Sequence, residues 1–176
     1  MTRTSLLIAA PMLLVGTEAL AQHSSADNFE AWRTARERRW VGDVTWIADW
    51  PGLGKKGDKI TGYSEIRAAA DGHVLIGQFF GGSGTNHWIT YYDAGAGEIR
   101  STGSDSGGTT WTCVISKDGR QWKSRCSGSL ADGTKTEGDH TLTISDGGSK
   151  HSWSGSTKFA GEPVDELQDV WRRVGR

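Results

Sequence analysis

Proline, cysteine and long hydrophobic segments are all scarce in this sequence. Its 176 residues include three prolines and two cysteines, against 25 glycines and nine tryptophans. Alanine- and leucine-rich periodic stretches are largely missing after the first twenty or so residues. This composition disfavours a helical bundle and favours many short strands joined by tight turns.

An excess of charge of either sign is also lacking. Lys and Arg together number 20 and Asp and Glu 21, for a formal net charge of -1. No basic stripe interleaved with aromatic residues occurs, so binding to nucleic acid, which depends on neutralising phosphates, is not expected. The sequence also has no His-X-His, no His-Glu-X-X-His and no Gly-X-Ser-X-Gly, so neither a metal site nor a hydrolase nucleophile is predicted.

The one long apolar run, residues 6–15, lies close to the N-terminus and is interrupted only by Pro11. It follows a single positive charge at Arg3 and precedes Ala19-Leu20-Ala21, which offers small residues where a signal peptidase reads. This layout predicts a cleaved signal peptide over residues 1–21 and a periplasmic or secreted mature protein. The run is too short for a membrane span, which needs about 20 apolar residues; an uncleaved membrane anchor is the alternative.

Residues 22–39 are predicted to form an N-terminal segment and one helix, over 25–39. Phe29, Trp32 and Ala35 recur at helical spacing, and Ser25 or Asp27 can cap the first turn. A helix in front of a barrel commonly closes one of its mouths, and we expect that role here.

Beyond Trp40 the apolar period changes to two, which is typical of strands with one buried face. Four Asp-Gly pairs, beginning at Asp71, Asp118, Asp132 and Asp146, lie between alternating stretches and indicate hairpin turns. Residues 40–176 are therefore predicted to form one all-β domain, an up-and-down antiparallel β-barrel of about ten strands. The predicted strands are 40–50, 59–67, 73–80, 86–93, 98–102, 109–116, 120–127, 134–145, 150–159 and 166–174.

Cys113 and Cys126 flank the second of these turns. A two-residue loop at Asp118-Gly119 sets Cys113 opposite Ser124, whereas a four-residue loop over 118–121 sets it opposite Cys126. The second register allows a cross-strand disulfide, because opposite Cβ atoms lie about 4.5–5.5 Å apart. An even cysteine count in an exported protein favours this disulfide. A pair of buried free thiols is the alternative.

Histidines are the candidates for chemistry. His87, His140 and His151 each alternate with apolar or aromatic residues along a predicted strand, and Tyr91 shares the face of His87. We expect these faces to point into the barrel. An inward imidazole could act as a general base, anchor the polar end of a ligand or bind a metal or haem iron. For each of them, a hydrogen-bonded structural histidine is the alternative.

Tryptophans recur about once per predicted strand. A closed barrel of about ten strands is wider than one of eight, whose interior can already hold one small ligand. The residues predicted to line a ligand cavity are Trp46, Tyr63, Trp88, Trp111, Trp153 and His151. A solid aromatic core is the alternative to such a cavity.

Several short motifs mark the turns and the two ends of the predicted barrel. They are Trp40-Val41-Gly42, Asp71-Gly72-His73-Val74-Leu75, the tyrosine-rich segment 91–98, Asp105-Ser106-Gly107-Gly108 and the closing segment 170–174. In these motifs the chain resembles the DUF1579-type small bacterial proteins of the lipocalin-like (calycin) class. The resemblance covers residues 40–174 and implies a lipocalin-like barrel, with no activity to carry over. The nitrobindins, a neighbouring barrel class, hold haem through a late histidine, a role that His140 or His151 would fill.

The leading functional prediction is an exported barrel that binds a small apolar or aromatic ligand in an aromatic-lined cavity, without a cofactor. The alternative is a cofactor-free lyase, isomerase or hydratase, in which His140 or His87 is the acid or base and Tyr91 or Tyr63 polarises the substrate. A second alternative is a haem-binding barrel. The expected partner is a small-molecule ligand or substrate, with no nucleic acid and, after signal cleavage, no membrane.

Overall fold

A computed structural model describes residues 23–175 as one helix and a single antiparallel sheet. The predicted signal peptide lies outside the described residues. The helix is α1 (Ala26–Arg36). The strands are β1 (Arg38–Thr45), β2 (Lys59–Ala69), β3 (Val74–Gly81), β4 (Gly84–Asp93), β5 (Glu98–Asp105), β6 (Thr110–Asp118), β7 (Gln121–Ser129), β8 (Lys135–Ser145), β9 (Lys150–Phe159), β10 (Glu162–Pro163) and β11 (Leu167–Val174).

The sheet closes on itself as a barrel. Consecutive strands from β1 to β9 pair as neighbours, β9 pairs with β11, and β11 returns to β1. Ten strands thus complete the circle, and the two-residue β10 extends the same edge of β9 that β11 occupies. This closure confirms the predicted all-β, up-and-down barrel with one N-terminal helix.

Helix α1 closes one mouth of the barrel. The Ser25 hydroxyl caps it by accepting from the Asn28 backbone N–H, and its buried face carries Phe29 and Trp32. Trp32 packs edge-on against Trp122 of the wall, with ring centroids 5.1 Å apart. The helix is shorter than predicted and ends at Arg36, because the chain turns directly into β1. No helix within residues 23–175 is long and apolar enough to cross a membrane.

The other mouth is covered by residues 46–58, called the closing loop below. The first predicted strand was placed over 40–50, but β1 ends at Thr45 and the chain then turns across the barrel. A single bridge joins Trp50 to Gly54, and the Leu53 side chain of the loop is buried. The Trp50 indole N–H donates to the Asp105 carboxylate at 2.9 Å, which ties the loop to the end of β5.

All four Asp-Gly pairs lie at connections between strands, as predicted, although none forms the simple two-residue Asp-Gly turn. Asp71 and Asp146 lie in four-residue connections, 70–73 and 146–149, and both adopt a positive φ. Gly119 and Arg120 form the connection after Asp118, because Asp118 itself pairs with Gln121. The turns therefore differ from the predicted type, while the register they impose keeps His140 and His151 on the inner face.

Cys113 and Cys126 are directly opposite one another on β6 and β7 and form a disulfide. The register is the one expected from a four-residue loop, although the loop itself is two residues long. The predicted disulfide is confirmed, and its cysteines form part of the wall of the barrel interior.

Reduction of this disulfide should destabilise the protein. The cross-link spans 13 residues, and closing a loop of that size stabilises a fold by about 3 kcal/mol through the entropy of the unfolded chain. Urea unfolding with and without reductant measures the difference. The Cys113→Ser/Cys126→Ser double variant should unfold at the same urea concentration under both conditions. A wild-type midpoint that does not move after complete reduction, verified by thiol titration, would contradict the expectation.

Candidate functional site

A cavity of about 390 Å³ lies inside the barrel. Small-molecule sites typically measure roughly 300–1,000 Å³, so the cavity has the size of a binding site for a small ligand. Its lining includes Trp32 and Arg36 from α1 at one end and Trp46, Trp50 and Leu53 from the closing loop at the other. The barrel interior is therefore not a solid aromatic core.

Glycines opposite tryptophans shape the cavity wall. Trp88 lies between Gly77 and Gly103 on the neighbouring strands, and Trp111 lies between Gly103 and Gly128. A Cβ added at Gly77 would approach the Trp88 indole to 2.1 Å, so the ring lies flat against the backbone of that glycine. The same relation holds for Gly42 and Trp171. Because the rings lie along the wall, the space at the barrel axis stays open.

Some residues of this apolar wall carry buried polar atoms that have no hydrogen-bond partner. Five buried side-chain atoms of the described residues have no hydrogen-bond partner, and all five belong to residues that line the cavity. They are Trp46 Nε1, Ser64 Oγ, Asn86 Oδ1, Thr109 Oγ1 and Asp169 Oδ1. A buried polar group without a partner costs about 1–3 kcal/mol. Such a set is typical of a ligand site, where a few polar groups orient a mostly apolar molecule.

Two buried carboxylates lie in the wall with opposite surroundings. Asp105 accepts from the backbone N–H groups of Gly107 and Thr109 and from the Trp50 indole, so both of its oxygens are engaged. Asp169 is 9% exposed and its Oδ1 has no partner. Burial raises the pKa of Asp169 to about 6, against a smaller lowering by the backbone of Thr45. Both oxygens of Asp105 are therefore engaged within the fold, whereas Asp169 keeps a buried oxygen without a hydrogen-bond partner.

His151 is completely buried at the helix end of the barrel. Its ring stacks on Trp40 at 3.6 Å between centroids, its Nε2 lies 3.2 Å from the Ala35 carbonyl and its Nδ1 lies 2.8 Å from Arg36 Nη1. Since the guanidinium only donates and the carbonyl only accepts, the proton is on Nε2 and the imidazole is neutral. Burial, together with the charge of Arg36, lowers the pKa of His151 to about 2. His151 therefore joins the helix to the wall rather than titrating.

His140 is the one predicted histidine that lines the cavity. Its Nε2 is 3.0 Å from the Thr157 hydroxyl, and its ring lies over Gly138. Burial lowers the pKa of His140, with a smaller opposing effect from Asp139. A neutral imidazole at this position can form a hydrogen bond with a bound molecule, as donor or as acceptor.

The predicted inward face of β4 is wrong. Asn86, Trp88 and Thr90 line the cavity, so the alternate residues His87 and Tyr91 lie on the outer face, where His87 is exposed. Both faces of this strand carry aromatic residues, so the alternation alone does not decide between them. Successive strand residues point to opposite sides, and the larger indole ring occupies the interior.

Tyr63 is also outside the cavity, and its side chain is 57% exposed. Ser64 and Ile66 of the same strand line the cavity, so the side chain of Tyr63 lies on the opposite, outer face of β2. The predicted ligand-binding tryptophans are Trp46, Trp88, Trp111 and Trp153, and the structure brings all four together around the cavity. Sequence reasoning missed Arg36 and Asp169, two ionisable residues of its wall. The sequence pattern that could have identified Asp169 is its position between the apolar residues Leu167 and Trp171 on one strand face.

The haem alternative requires an imidazole nitrogen free to bind iron. Both nitrogens of His151 are engaged, one by Arg36 and one by the Ala35 carbonyl, so His151 does not fit that role. His140 has its Nε2 against Thr157. The arrangement of these two histidines does not favour a haem site.

Replacing Asp169 with Asn should change how stability depends on pH. The folded protein holds the Asp169 proton with a pKa of about 6, above the ordinary 3.8. The stability from this group is therefore fully present below about pH 4 and is lost as pH rises through about 6. The loss corresponds to about 3 kcal/mol. Asp169→Asn should thus gain stability relative to wild type as pH rises from about 4 to about 6, after which the difference should level off, as measured by urea unfolding. A constant difference across that range would contradict the pKa.

Comparison with known proteins adds support for the fold. Neither the protein-family models nor the curated proteins include a match to the chain. Among solved structures, the chain is similar to the crystal structure of Rv2717c from M. tuberculosis, with a TM-score of 0.60 and 17% sequence identity over 86% of this chain and 100% of that one. At this identity the likeness shows the fold alone, that of a small barrel-type protein.

Proposed function

We propose that this protein binds a small apolar or aromatic molecule inside its barrel. The observation that carries the proposal is the cavity of about 390 Å³, which is walled by indole rings and bounded at its ends by α1 and the closing loop. Burial of apolar surface contributes roughly 25 cal/mol per Å², so such a wall can supply most of the affinity for a small hydrophobic ligand.

The polar atoms of the wall would orient that ligand. Trp46 Nε1 is a donor, Asn86 Oδ1 is an acceptor, and Asp169 offers either according to its protonation. His140, which also lines the cavity, adds an imidazole. A ligand with one or two polar groups on an apolar body matches this distribution.

Acid–base catalysis in the cavity has less support. Of the groups predicted for it, His87 and Tyr91 lie on the outer face of β4, and only His140 lines the cavity. His140 Nε2 is hydrogen-bonded to the hydroxyl of Thr157, which is not a base and so cannot take up a proton from the imidazole. We therefore propose binding rather than a reaction.

Export and membership of the DUF1579-type group complete the proposal. Disulfides persist in oxidising compartments, and the Cys113–Cys126 disulfide is compatible with a periplasmic or secreted protein. The ten-stranded barrel over residues 38–174 is compatible with the lipocalin-like fold that the sequence motifs imply.

Binding can be tested with N-phenyl-1-naphthylamine, a neutral aromatic dye whose fluorescence rises in apolar surroundings. The wild-type protein should enhance its emission with saturation at one dye per chain. Ser124→Phe should reduce the affinity about tenfold or more, because Ser124 is buried in the cavity wall and a phenyl ring there occupies the ligand space.

The matched control is Ser156→Phe, which adds the same ring at an exposed position on β9. It should bind the dye as the wild type does. Equal binding by all three proteins would place the dye on the surface, and absence of binding to the wild type would contradict an accessible apolar cavity. Circular dichroism of both variants verifies that they fold.

Export predicts a defined N-terminus. When the full sequence is expressed in a bacterium, protein recovered from the periplasmic fraction should begin at Gln22 and carry no free thiol. Intact mass spectrometry, with and without thiol alkylation, measures both properties. An Ala19→Arg/Ala21→Arg variant should keep its leader, because signal peptidase requires small residues at these positions. Full-length wild-type protein confined to the cytoplasm would contradict export.

A further inference from the structure

Arg36 brings an uncompensated positive charge to the cavity. It lies in the last turn of α1 and lines the interior beside Trp32 and Trp153. A guanidinium has five N–H donors. One of them bonds to His151 Nδ1 at 2.8 Å, and no carboxylate of the described residues lies within 4.0 Å of the group. Burial lowers the pKa of Arg36 to about 10, which still leaves it charged at neutral pH.

The contacts that surround Arg36 do not replace an anion. The Trp32 and Trp153 rings lie 5.5 and 5.3 Å from its central carbon and stabilise the cation through their faces. The C-terminal end of the helix adds a favourable dipole. Neither supplies lone pairs for the remaining N–H donors, and His151 is held neutral by its second hydrogen bond. A charge withdrawn from water is normally both paired and hydrogen-bonded, and the half-buried Arg36 is only partly so.

The carboxylates of the cavity wall are not its partners. Asp105 has both oxygens engaged by the closing loop and its own turn. Asp169 has an unpartnered Oδ1, but it does not pair with Arg36. By contrast, Arg33, one turn earlier on the same helix, forms ion pairs with Glu30 and Glu37 outside the barrel. The helix thus places one paired arginine toward solvent and one unpaired arginine toward the cavity.

We propose that the ligand of this cavity carries a carboxylate, which the Arg36 guanidinium binds, while an aromatic or alkyl body lies along the tryptophan wall. This inference rests on the proposed binding function and specifies its ligand class. A planar carboxylate matches the fork of N–H donors in a guanidinium. A single negative charge also balances a single arginine, whereas a more highly charged group would leave a buried charge unpaired.

The test compares 2-naphthoate with 2-naphthamide, which share an apolar body and differ in the charge of one planar group. Isothermal titration calorimetry should show the wild-type protein binding 2-naphthoate about tenfold or more tightly than 2-naphthamide, the order expected for charge-assisted hydrogen bonds in a buried site. Arg36→Met should bring the ratio of the two affinities close to one. The matched control, Arg67→Met on the exposed outer face of β2, should keep the wild-type ratio.

Arg36 also supports the helix through His151, so a second variant guards against misfolding. Arg36→Lys keeps the charge but loses the planar fork, and it should show a reduced preference for the carboxylate. Equal wild-type affinities for the two compounds would overturn this inference while leaving the apolar site intact, as would a preference that persists in Arg36→Met. If neither compound nor the neutral dye bound, the proposed binding function itself would fail.

Discussion

The packing of this barrel depends on indole rings that lie flat against inward-facing glycines. A circle of ten strands encloses more space than an eight-stranded one, and that space must be either filled or lined. The Gly77–Trp88–Gly103–Trp111–Gly128 row alternates a flat ring with a missing side chain around half of the circumference. Each ring therefore buries its face against backbone instead of projecting to the axis. The wall is therefore largely apolar, and the centre of the barrel remains a cavity.

The helix depends on the same wall. Trp32 inserts between Trp122 and Trp153, and Arg36 reaches His151 behind the Trp40 ring. These contacts fix the helix as the floor of the cavity and hold a guanidinium at its edge. At the opposite end, a hydrogen bond from Trp50 to Asp105 holds the closing loop in place. One end of the interior is therefore bounded by the helix, and the other by a loop that is also held by hydrogen bonds from Ser83 to the Leu53 carbonyl and by an ion pair between Lys56 and Asp165.

The charges of the cavity follow from this layout. Asp169 keeps an unpartnered oxygen and a pKa raised to about 6 by burial, while Arg36 keeps most of its N–H donors unused. Folding alone would not favour either group, because a buried polar group without a partner costs free energy. Such local costs are expected where a protein is shaped for a ligand. The interior is thus better suited to an amphipathic molecule than to a pure hydrocarbon.

The sequence by itself determined the class of fold and the single N-terminal helix, because alternation and turn residues are local properties. It favoured the pairing of Cys113 with Cys126 without deciding it, because the register depends on the length of the loop between them. It also identified Trp46, Trp88, Trp111 and Trp153 as members of the wall. It did not decide which face of β4 turns inward, since both faces carry aromatic residues, and His87 and Tyr91 lie outside as a result. Tyr63 of β2 also lies outside. Only the tertiary structure brought Arg36, Asp169 and His140 to one cavity, because strand closure and the docking of α1 join residues more than 100 positions apart.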